Sequence, residues 1–430
     1  CLVGSEMCIR DSVYIEHDKF TGLLSYGDRI LTRIKPVNSN NFDYVGKIIK
    51  KIEDNPQTKL GIFQITPNGP RVKSIDKSGK DWLVELDKGV VIEDGELVEF
   101  RKIDSGRRIR SEKVRVSERL GDPSAPKSIS LIAIHQHKIP NIFPEDVLLQ
   151  SKKASFLQNK KWDDYSHVPF VTIDPKDARD HDDACYAKPD DDPKNIGGHL
   201  IWVAIADVAH FVRSGDAIDN EARHRGNSTY FPDRVVPMLP DNLSGNLCSL
   251  HEGEKRACIV VKIKIDSVGN KISHKFTRAV IQSWASLEYG EVQEVIDKGK
   301  GKPKVLDLVN TVIKPLYDAY SCLKISRKAR SPLDLNLPER KIEIDEKGIV
   351  KDVRFKERLE AHKLIEEFMI LANVCAAETL SYKKTPTIFR VHEEPDKEKI
   401  EALRKTAVSV GLKLSKGQNI KASHINELLA

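Results

Sequence analysis

The stretch TIDPKDARDHDDACY, residues 172–186, decides how this chain is interpreted, because it concentrates carboxylates directly behind an apolar run. Its acidic residues are Asp174, Asp177, Asp180, Asp182 and Asp183. The run VPFV precedes them and ACY follows, so residues typical of buried strands flank the acidic segment on both sides. Carboxylates this close together repel one another, and the stretch therefore requires a source of positive charge.

A divalent cation is one such source. In an extended segment residues two apart share a face, so Asp180 and Asp182 point together, Asp183 faces away, and Asp174 returns from the preceding strand. Magnesium suits this group better than calcium does, because it binds through few carboxylates and takes waters and substrate phosphates as its remaining ligands. An EF-hand loop is excluded, since no glycine stands at its sixth position. The alternative, a solvated acidic loop without a metal, stays open on these residues alone.

Length and composition narrow the class of protein. The chain has 430 residues, 40% of them apolar, which is enough for two or three domains. It contains neither an apolar run of about 18 residues nor a secretory signal, so we expect no membrane association. Its seven cysteines form no CxxC pair and indicate neither a disulfide framework nor a zinc site, which favours a cytoplasmic location. The net charge of +6 allows a polyanionic partner.

The pattern along the chain changes near Val168. Before it, alternating runs such as LGIFQI and LVEFRKI predict small antiparallel β-domains, either sandwiches or barrels. The basic cluster RRIRSEKVR, residues 107–115, is either a solvated strand edge or a phosphate-binding face. QSKKASFLQNKKWDD is typical of a polar connector. After Val168, strand-like and helix-like segments alternate and predict a mixed α+β domain.

Five separated blocks resemble the catalytic domain of the ribonuclease II family, in its ribonuclease R branch. They are VTIDPKDARDHDDA, WVAIADVAHFVRSG, ARHRGNSTYFPDRVVPMLPDNLSGNLCSL, HKLIEEFMILANVCAAE and FRVHEEPDKEKIEALR. The resemblance implies small OB-type, cold-shock-like β-barrels followed by an α+β catalytic domain. It also implies a 3′-to-5′ exoribonuclease that hydrolyses single-stranded RNA to nucleoside 5′-monophosphates by two-metal catalysis with Mg2+.

The resemblance also implies a domain organisation. We expect a non-native leader at 1–12, the end of one cold-shock-type OB domain at 13–54, a second such domain at 55–145, a linker at 146–165, and the ribonuclease II-type domain at 166–430. The family's downstream TSPIR block and C-terminal OB domain are absent, so we expect a fragment with low activity on its own. We further expect a monomer.

The resemblance assigns roles to particular residues. Asp174, Asp180, Asp182 and Asp183 match the family's metal-binding aspartates, with the least dispensable one at Asp182. Tyr230, in NSTYFPD, matches the tyrosine that holds the terminal base or the scissile phosphate, and we predict it to be both catalytic and RNA-binding. From the residues alone, packing beside Phe231 remains the alternative for Tyr230.

A helix from Arg358 onward carries the remaining candidate. Its apolar residues cover one broad face, while His362, Glu366 and Asn373 form a narrow polar stripe. That stripe is either the solvated side of a buried helix or a functional surface. The family places a ribose-contacting glutamate in this block, so we predict that Glu366 reads the 2′-hydroxyl, with Glu367 as the alternative. Leu335 stands where several relatives carry an aromatic base clamp.

Two other functions remain open. An RNA-binding protein that retains an inactive nuclease fold would bind RNA without cleaving it. A metal-dependent phosphohydrolase built on His181 and Asp182 would need further histidines on surrounding helices, and would cleave small nucleotides rather than RNA.

Overall fold

In the computed structural model the described residues are 13–15, 29–36, 44–52, 59–75, 80–86, 91–103, 113–156, 161–333, 335, 337–345, 349–391, 393–412, 414 and 422–429. The chain divides into two compact units. The first comprises Cys1–Asn141, Tyr230–Val236 and Ile342–Val353. The second comprises Ile142–Thr229, Pro237–Lys341 and Arg354–Ala430.

The first unit begins with a three-stranded sheet of order β1-β3-β2. Its strands are β1 (Val13–Ile15), β2 (Arg29–Pro36) and β3 (Tyr44–Ile52). β1 pairs with β3 in parallel and β2 pairs with β3 antiparallel. This sheet lies where the sequence predicts the end of a first β-domain.

A closed five-stranded barrel follows, with the order β4-β5-β6-β8-β7. Its strands are β4 (Lys59–Thr66), β5 (Gly69–Ser74), β6 (Asp81–Val84), β7 (Leu97–Lys102) and β8 (Lys113–Gly121). Phe63, Phe100 and Val114 are fully buried in its core. At Gly61 a Cβ atom would lie 2.3 Å from Val72 Cγ1, so the barrel wall requires a glycine there. The closed barrel confirms the predicted OB-type architecture.

Two predictions for the first half of the chain concern segments that the structure describes only in part. Residues 107–112 of the basic cluster lie outside the described residues, whereas 113–115 open β8. The segment QSKKASFLQNKKWDD, predicted to be a polar connector, contains the end of a helix, α2 (Glu145–Lys153), and a short strand, β9 (Asp163–Asp164). Val147 is buried, and this apolar contact holds α2 in place as an ordered helix.

A seven-stranded mixed sheet of order β17-β10-β11-β12-β15-β16-β9 forms the centre of the second unit. Its other strands are β10 (Val171–Asp174), β11 (Asp183–Pro189), β12 (His199–Ala206), β15 (Lys255–Ile265), β16 (Lys271–Gln282) and β17 (Ala285–Glu288).

Two short strand pairs form sheets of their own. They are β13 (Thr229–Tyr230) with β14 (Val235–Val236), and β18 (Arg340–Ile344) with β19 (Val350–Phe355).

Both faces of the large sheet are buried. On β12, Ile201 and Val203 belong to one hydrophobic core, whereas Trp202 and Ala204 belong to the other, as the two-residue period of a strand requires. Helices cover the first face with residues such as Phe368, and the second face packs against residues such as Ile218 and Leu250. Burial on both sides explains why the run LIWVAIA is apolar almost without interruption.

The remaining helices are α1 (Pro126–Gln136), α3 (Val208–Phe211), α4 (Ala217–Arg225), α5 (Tyr289–Lys298), α6 (Pro303–Asp307), α7 (Lys314–Arg330), α8 (Glu360–Tyr382), α9 (Lys397–Ser409) and α10 (Ala422–Leu429). Short π-helical turns occur at Leu243–Leu247 and Val309–Ile313. Across the described residues, none of the helices combines the length and the apolar character that crossing a membrane requires. The described cysteines are buried and form no disulfide.

Candidate active site

The acidic stretch lies at one end of the large sheet. Asp174 is the last residue of β10 and Asp183 is the first residue of β11, and these two strands are antiparallel neighbours. The loop between them, residues 175–182, therefore turns at that end of the sheet. The carbonyl oxygen of Asp182 accepts a hydrogen bond of 3.0 Å from the Ala206 N–H, which extends the pairing of β11 with β12 to the last residue of the loop.

The carboxylates of this loop influence one another electrostatically. Burial, together with the charges of Asp182 and Asp174, raises the pKa of the Asp183 carboxyl to about 7. Asp182 reaches the surface, but protein encloses part of its side chain, and this desolvation raises its carboxyl pKa. The charges of Asp180 and Asp174 raise the pKa of Asp182 further. The structure thus brings all four predicted aspartates into one negative field, while Asp177 is exposed and lies 3.7 Å from Lys341.

His181 forms a hydrogen bond with one of these carboxylates. Its Nδ1 lies 2.7 Å from Asp174 Oδ2, and this hydrogen bond raises the pKa of the imidazole. The ring meets His251 edge to face at 6.0 Å, and His251 Nε2 lies 2.9 Å from the Gly245 carbonyl oxygen. His181 is thus engaged with a carboxylate, and His251 with the backbone. Within the part of the chain that the structure describes, no histidine-rich group that could hold a metal ion, as a phosphohydrolase would need, surrounds this loop.

The donor set fits a hard divalent cation. Among the residues that the structure describes, no group of three or more His, Cys, Asp or Glu side chains is arranged to hold a metal ion. Magnesium, however, needs only one or two carboxylates and fills its other positions with water and phosphate oxygens. The negative charges of Asp174 and Asp180 raise the carboxyl pKa of Asp182, and those of Asp182 and Asp174 raise that of Asp183. A cation of charge +2 fits these oxygen donors, because its charge would remove this repulsion.

Tyr289 lies beside the carboxylates and stacks on His362, an arrangement that the sequence does not predict. Burial raises the pKa of the Tyr289 hydroxyl, and the charges of Asp174 and Asp183 raise it further. The Tyr289 ring stacks on the His362 ring with 4.0 Å between centroids and 17° between planes. His362 Nδ1 in turn accepts a hydrogen bond of 3.1 Å from the Leu359 N–H at the start of α8. The stack therefore connects α8 to the aspartate loop.

No sequence signal marks Tyr289 as a site residue. It follows Glu288, the last residue of β17, and Glu288 pairs with Asp174 in the parallel register of β10 and β17. Only this pairing, between strands more than a hundred residues apart in the chain, places Tyr289 next to the acidic loop.

The two adjacent glutamates of α8 differ in their surroundings. Glu367 is buried with 3% of its side chain exposed, and it forms ion pairs with Arg327 and Arg330. Glu366 is 38% exposed, and it forms ion pairs with Arg358 at 2.6 Å and with Arg327 at 3.3 Å. The helix begins at Glu360, two residues after the predicted start. Its buried face matches the predicted apolar residues, and Glu366 lies one turn from His362 on the polar stripe.

Two further residues that the sequence singles out, Tyr230 and Leu335, are distant from the aspartate loop along the sequence. Tyr230 belongs to the first unit, in a hairpin where the Phe231 N–H donates to the Arg234 carbonyl oxygen at 2.8 Å. Its side chain is 64% exposed. Leu335 is half-exposed.

Comparison with known proteins identifies the family. The model described as RNB domain matches residues 162–430. Ribonuclease R of Vibrio parahaemolyticus is 32% identical over 419 residues, which cover 95% of this chain and 49% of that protein. Ribonuclease R of Escherichia coli strain K12 is 36% identical over 319 residues, 73% of this chain and 39% of that protein. The chain spans about half the length, or less, of these curated relatives.

Solved structures agree with this assignment. Mycoplasma genitalium RNase R in complex with ribose methylated single-stranded RNA superposes with a TM-score of 0.74 at 25% identity, covering 94% of this chain and 64% of that one. Yeast Ssd1, a pseudonuclease, superposes with a TM-score of 0.52 at 14% identity, which shows a shared fold alone. The α+β fold class with small β-barrels and the resemblance to the ribonuclease R branch are thereby confirmed. Because the RNB domain model matches more than half of the chain, this protein belongs to the RNB domain family.

Proposed function

We propose that this protein hydrolyses RNA from its 3′ end and releases nucleoside 5′-monophosphates, with magnesium as the cofactor. The observation that carries the proposal is the group of neighbouring aspartates at the end of the sheet, within the RNB domain match, in which nearby carboxylates raise the pKa of Asp182 and Asp183. Such a group of carboxylates would bind divalent cations at the phosphodiester that is to be cleaved. Single-stranded RNA is the proposed substrate, because an RNase R of similar fold was solved in complex with it.

Different side chains have different roles in the proposed reaction. Asp174, Asp180, Asp182 and Asp183 would hold magnesium, and His181 would fix the orientation of Asp174 through its 2.7 Å contact. When bound, magnesium supplies an activated water and a positive charge beside the leaving 3′ oxygen. Tyr289, stacked on His362, would form the wall of the site on the side of α8. Glu366, on the same polar stripe of α8, would contact the sugar of the terminal nucleotide.

The proposal is tested with RNA labelled separately at its 3′ end and at its 5′ end and incubated with the protein. Label at the 3′ end should appear at once as nucleoside 5′-monophosphate, whereas label at the 5′ end should remain in shortening oligonucleotides. Chelation with EDTA should stop the reaction, and added Mg2+ should restore it. Binding of RNA without hydrolysis would instead support the RNA-binding alternative, and release of internal fragments would contradict exonucleolytic cleavage.

We expect Glu366→Ala to narrow the preference for RNA over DNA by about 1–3 kcal/mol, roughly 5- to 150-fold in relative kcat/KM. A carboxylate bound to two arginines keeps acceptor sites for a ribose hydroxyl, and DNA lacks that hydroxyl. The measurement compares cleavage of matched RNA and DNA oligonucleotides.

Glu367→Ala is the matched control, because this neighbouring glutamate is enclosed by Arg327 and Arg330. It should lower the free energy of unfolding while leaving the ratio of RNA to DNA cleavage unchanged. If the ratio narrows only in the Glu367 variant, then Glu367 rather than Glu366 reads the ribose.

Tyr230→Ala should lengthen the final undegraded oligonucleotide more than it slows the attack on long RNA. An exposed aromatic ring can stack on any base, and such stacking contributes about 1–3 kcal/mol for each base. A long RNA has contacts with the protein along much of its length. The binding of a short end product depends only on the contacts of its last few nucleotides. The end products of a homopolymer are measured by gel electrophoresis, with Tyr230→Phe as the control that keeps the ring. End products of unchanged length would indicate that the Tyr230 ring has only a packing role.

A further inference from the structure

The acidic loop, residues 175–182, is hydrogen-bonded to a buried serine that lies outside the loop. The Ser249 hydroxyl donates to the Arg179 carbonyl oxygen at 3.1 Å and accepts from the His181 N–H at 3.0 Å. The next residue, Leu250, donates its N–H to the His181 carbonyl oxygen at 2.7 Å. Ser249 is fully buried, so water cannot replace these hydrogen bonds.

These contacts are concentrated on the residue between two proposed metal ligands. His181 stands between Asp180 and Asp182, and both of its backbone polar groups are engaged by Ser249 and Leu250. Asp182 is then fixed on its other side, because its carbonyl oxygen accepts from the Ala206 N–H. These hydrogen bonds therefore maintain the backbone conformation of the loop although its carboxylates repel one another.

A buried arginine supports the serine in turn. Arg256, on β15, donates from Nε to the carbonyl oxygens of Ser249 at 2.9 Å and Asn246 at 3.2 Å. Its Nη2 reaches Asn246 Oδ1 at 3.1 Å. Because Arg256 belongs to the central sheet, it links the position of Ser249 to that sheet.

We propose that Ser249 is a positioning residue of the metal site, which sets the spacing of Asp180 and Asp182 by holding Arg179 and His181. This inference rests on the proposed function, in that it assumes that these aspartates bind a divalent cation. Ser249 does not contact the ion. Its effect reaches the ion through the backbone, and outer residues that orient metal ligands typically change metal affinity by about 10- to 100-fold.

The test measures Mn2+ affinity by electron paramagnetic resonance in the absence of RNA, in the wild-type protein and in Ser249→Ala. We expect the Mn2+ dissociation constant to rise by about 10- to 100-fold. Ser283→Ala is the matched control, since Ser283 is equally buried and its hydroxyl donates to the Ala285 carbonyl oxygen, away from the acidic loop. Ser249→Thr keeps the hydroxyl and should retain most of the affinity.

Hydrogen exchange gives a second readout that a general loss of stability would not reproduce. In Ser249→Ala the amide of His181 should exchange faster, while amides in the centre of β12 keep their protection. Wild-type affinity in Ser249→Ala, or an equal loss in Ser283→Ala, would overturn the positioning role. Absence of Mn2+ binding to the wild-type protein would overturn both this inference and the proposed metal-dependent function, so the two failures are distinguishable.

Discussion

Replacement of Asp182 by asparagine should lower the rate of RNA hydrolysis at least about 1000-fold, equivalent to about 4 kcal/mol in the activation barrier. Asp182 lies at the centre of the negative field, because its carboxyl pKa responds to Asp180 and Asp174 and its own charge raises the pKa of Asp183. An amide is a weak ligand for a hard cation and carries no charge. RNA binding should be nearly unchanged, since the substitution removes a negative charge from the site. Single-turnover hydrolysis and fluorescence anisotropy measure the two quantities.

Asp177→Asn provides the matched control within the same loop. Asp177 is exposed, and its carboxylate lies 3.7 Å from Lys341 at the surface. We expect its turnover to stay within about threefold of wild type, because exposed ion pairs contribute little. If Asp182→Asn also kept a rate within about tenfold of wild type, the assignment of the active site to this loop would be wrong.

The largest expected effect on folding is that of Phe368→Ala, which should lower the free energy of unfolding by about 3–5 kcal/mol. Phe368 lies on α8, on the face opposite to the polar stripe, and it is fully buried in the core beneath the sheet. Its removal takes apolar surface out of the core and leaves a cavity that the surrounding strands cannot fill. Urea denaturation followed by circular dichroism measures the change.

Val374→Ala on the same helix is the control for helix propensity, because Val374 is half-exposed. It should change the free energy of unfolding by less than about 0.5 kcal/mol. A loss below about 1 kcal/mol for Phe368→Ala would show that α8 does not pack on the sheet as described.

Several features could be predicted from the sequence because they depend on neighbours in the chain. The aspartates lie within ten positions, so any fold that orders residues 174–183 brings their charges close together. The faces of α8 follow from the helical period, and the predicted apolar residues are indeed those that reach the core. Alternating short runs predicted the small β-barrel, which the structure closes with five strands. The domain boundaries, the monomeric state and the cytoplasmic location stay predictions.

The two glutamates of α8 show what the helical period of the sequence does not predict. Glu366 and Glu367 are adjacent, and from the sequence alone either could contact the ribose. The structure separates them, because α7 brings Arg327 and Arg330 against Glu367 and encloses it, while Glu366 keeps more than a third of its side chain exposed. Which face of a helix a partner covers is decided by the packing of other elements.

By itself, the sequence determined the family, the acidic loop and the amphipathic helix, since each is encoded by residues close together in the chain. Only the tertiary structure decided that Tyr289 and His362 stack beside the carboxylates and that Ser249 holds the loop. These contacts join segments about 70 residues apart or more, and they exist because β10 pairs with β17 and because Arg256 on the sheet holds the turn that carries Ser249. The physical reason is that hydrogen bonds and burial depend on distance in space, and a local pattern specifies the faces of an element without specifying what covers them.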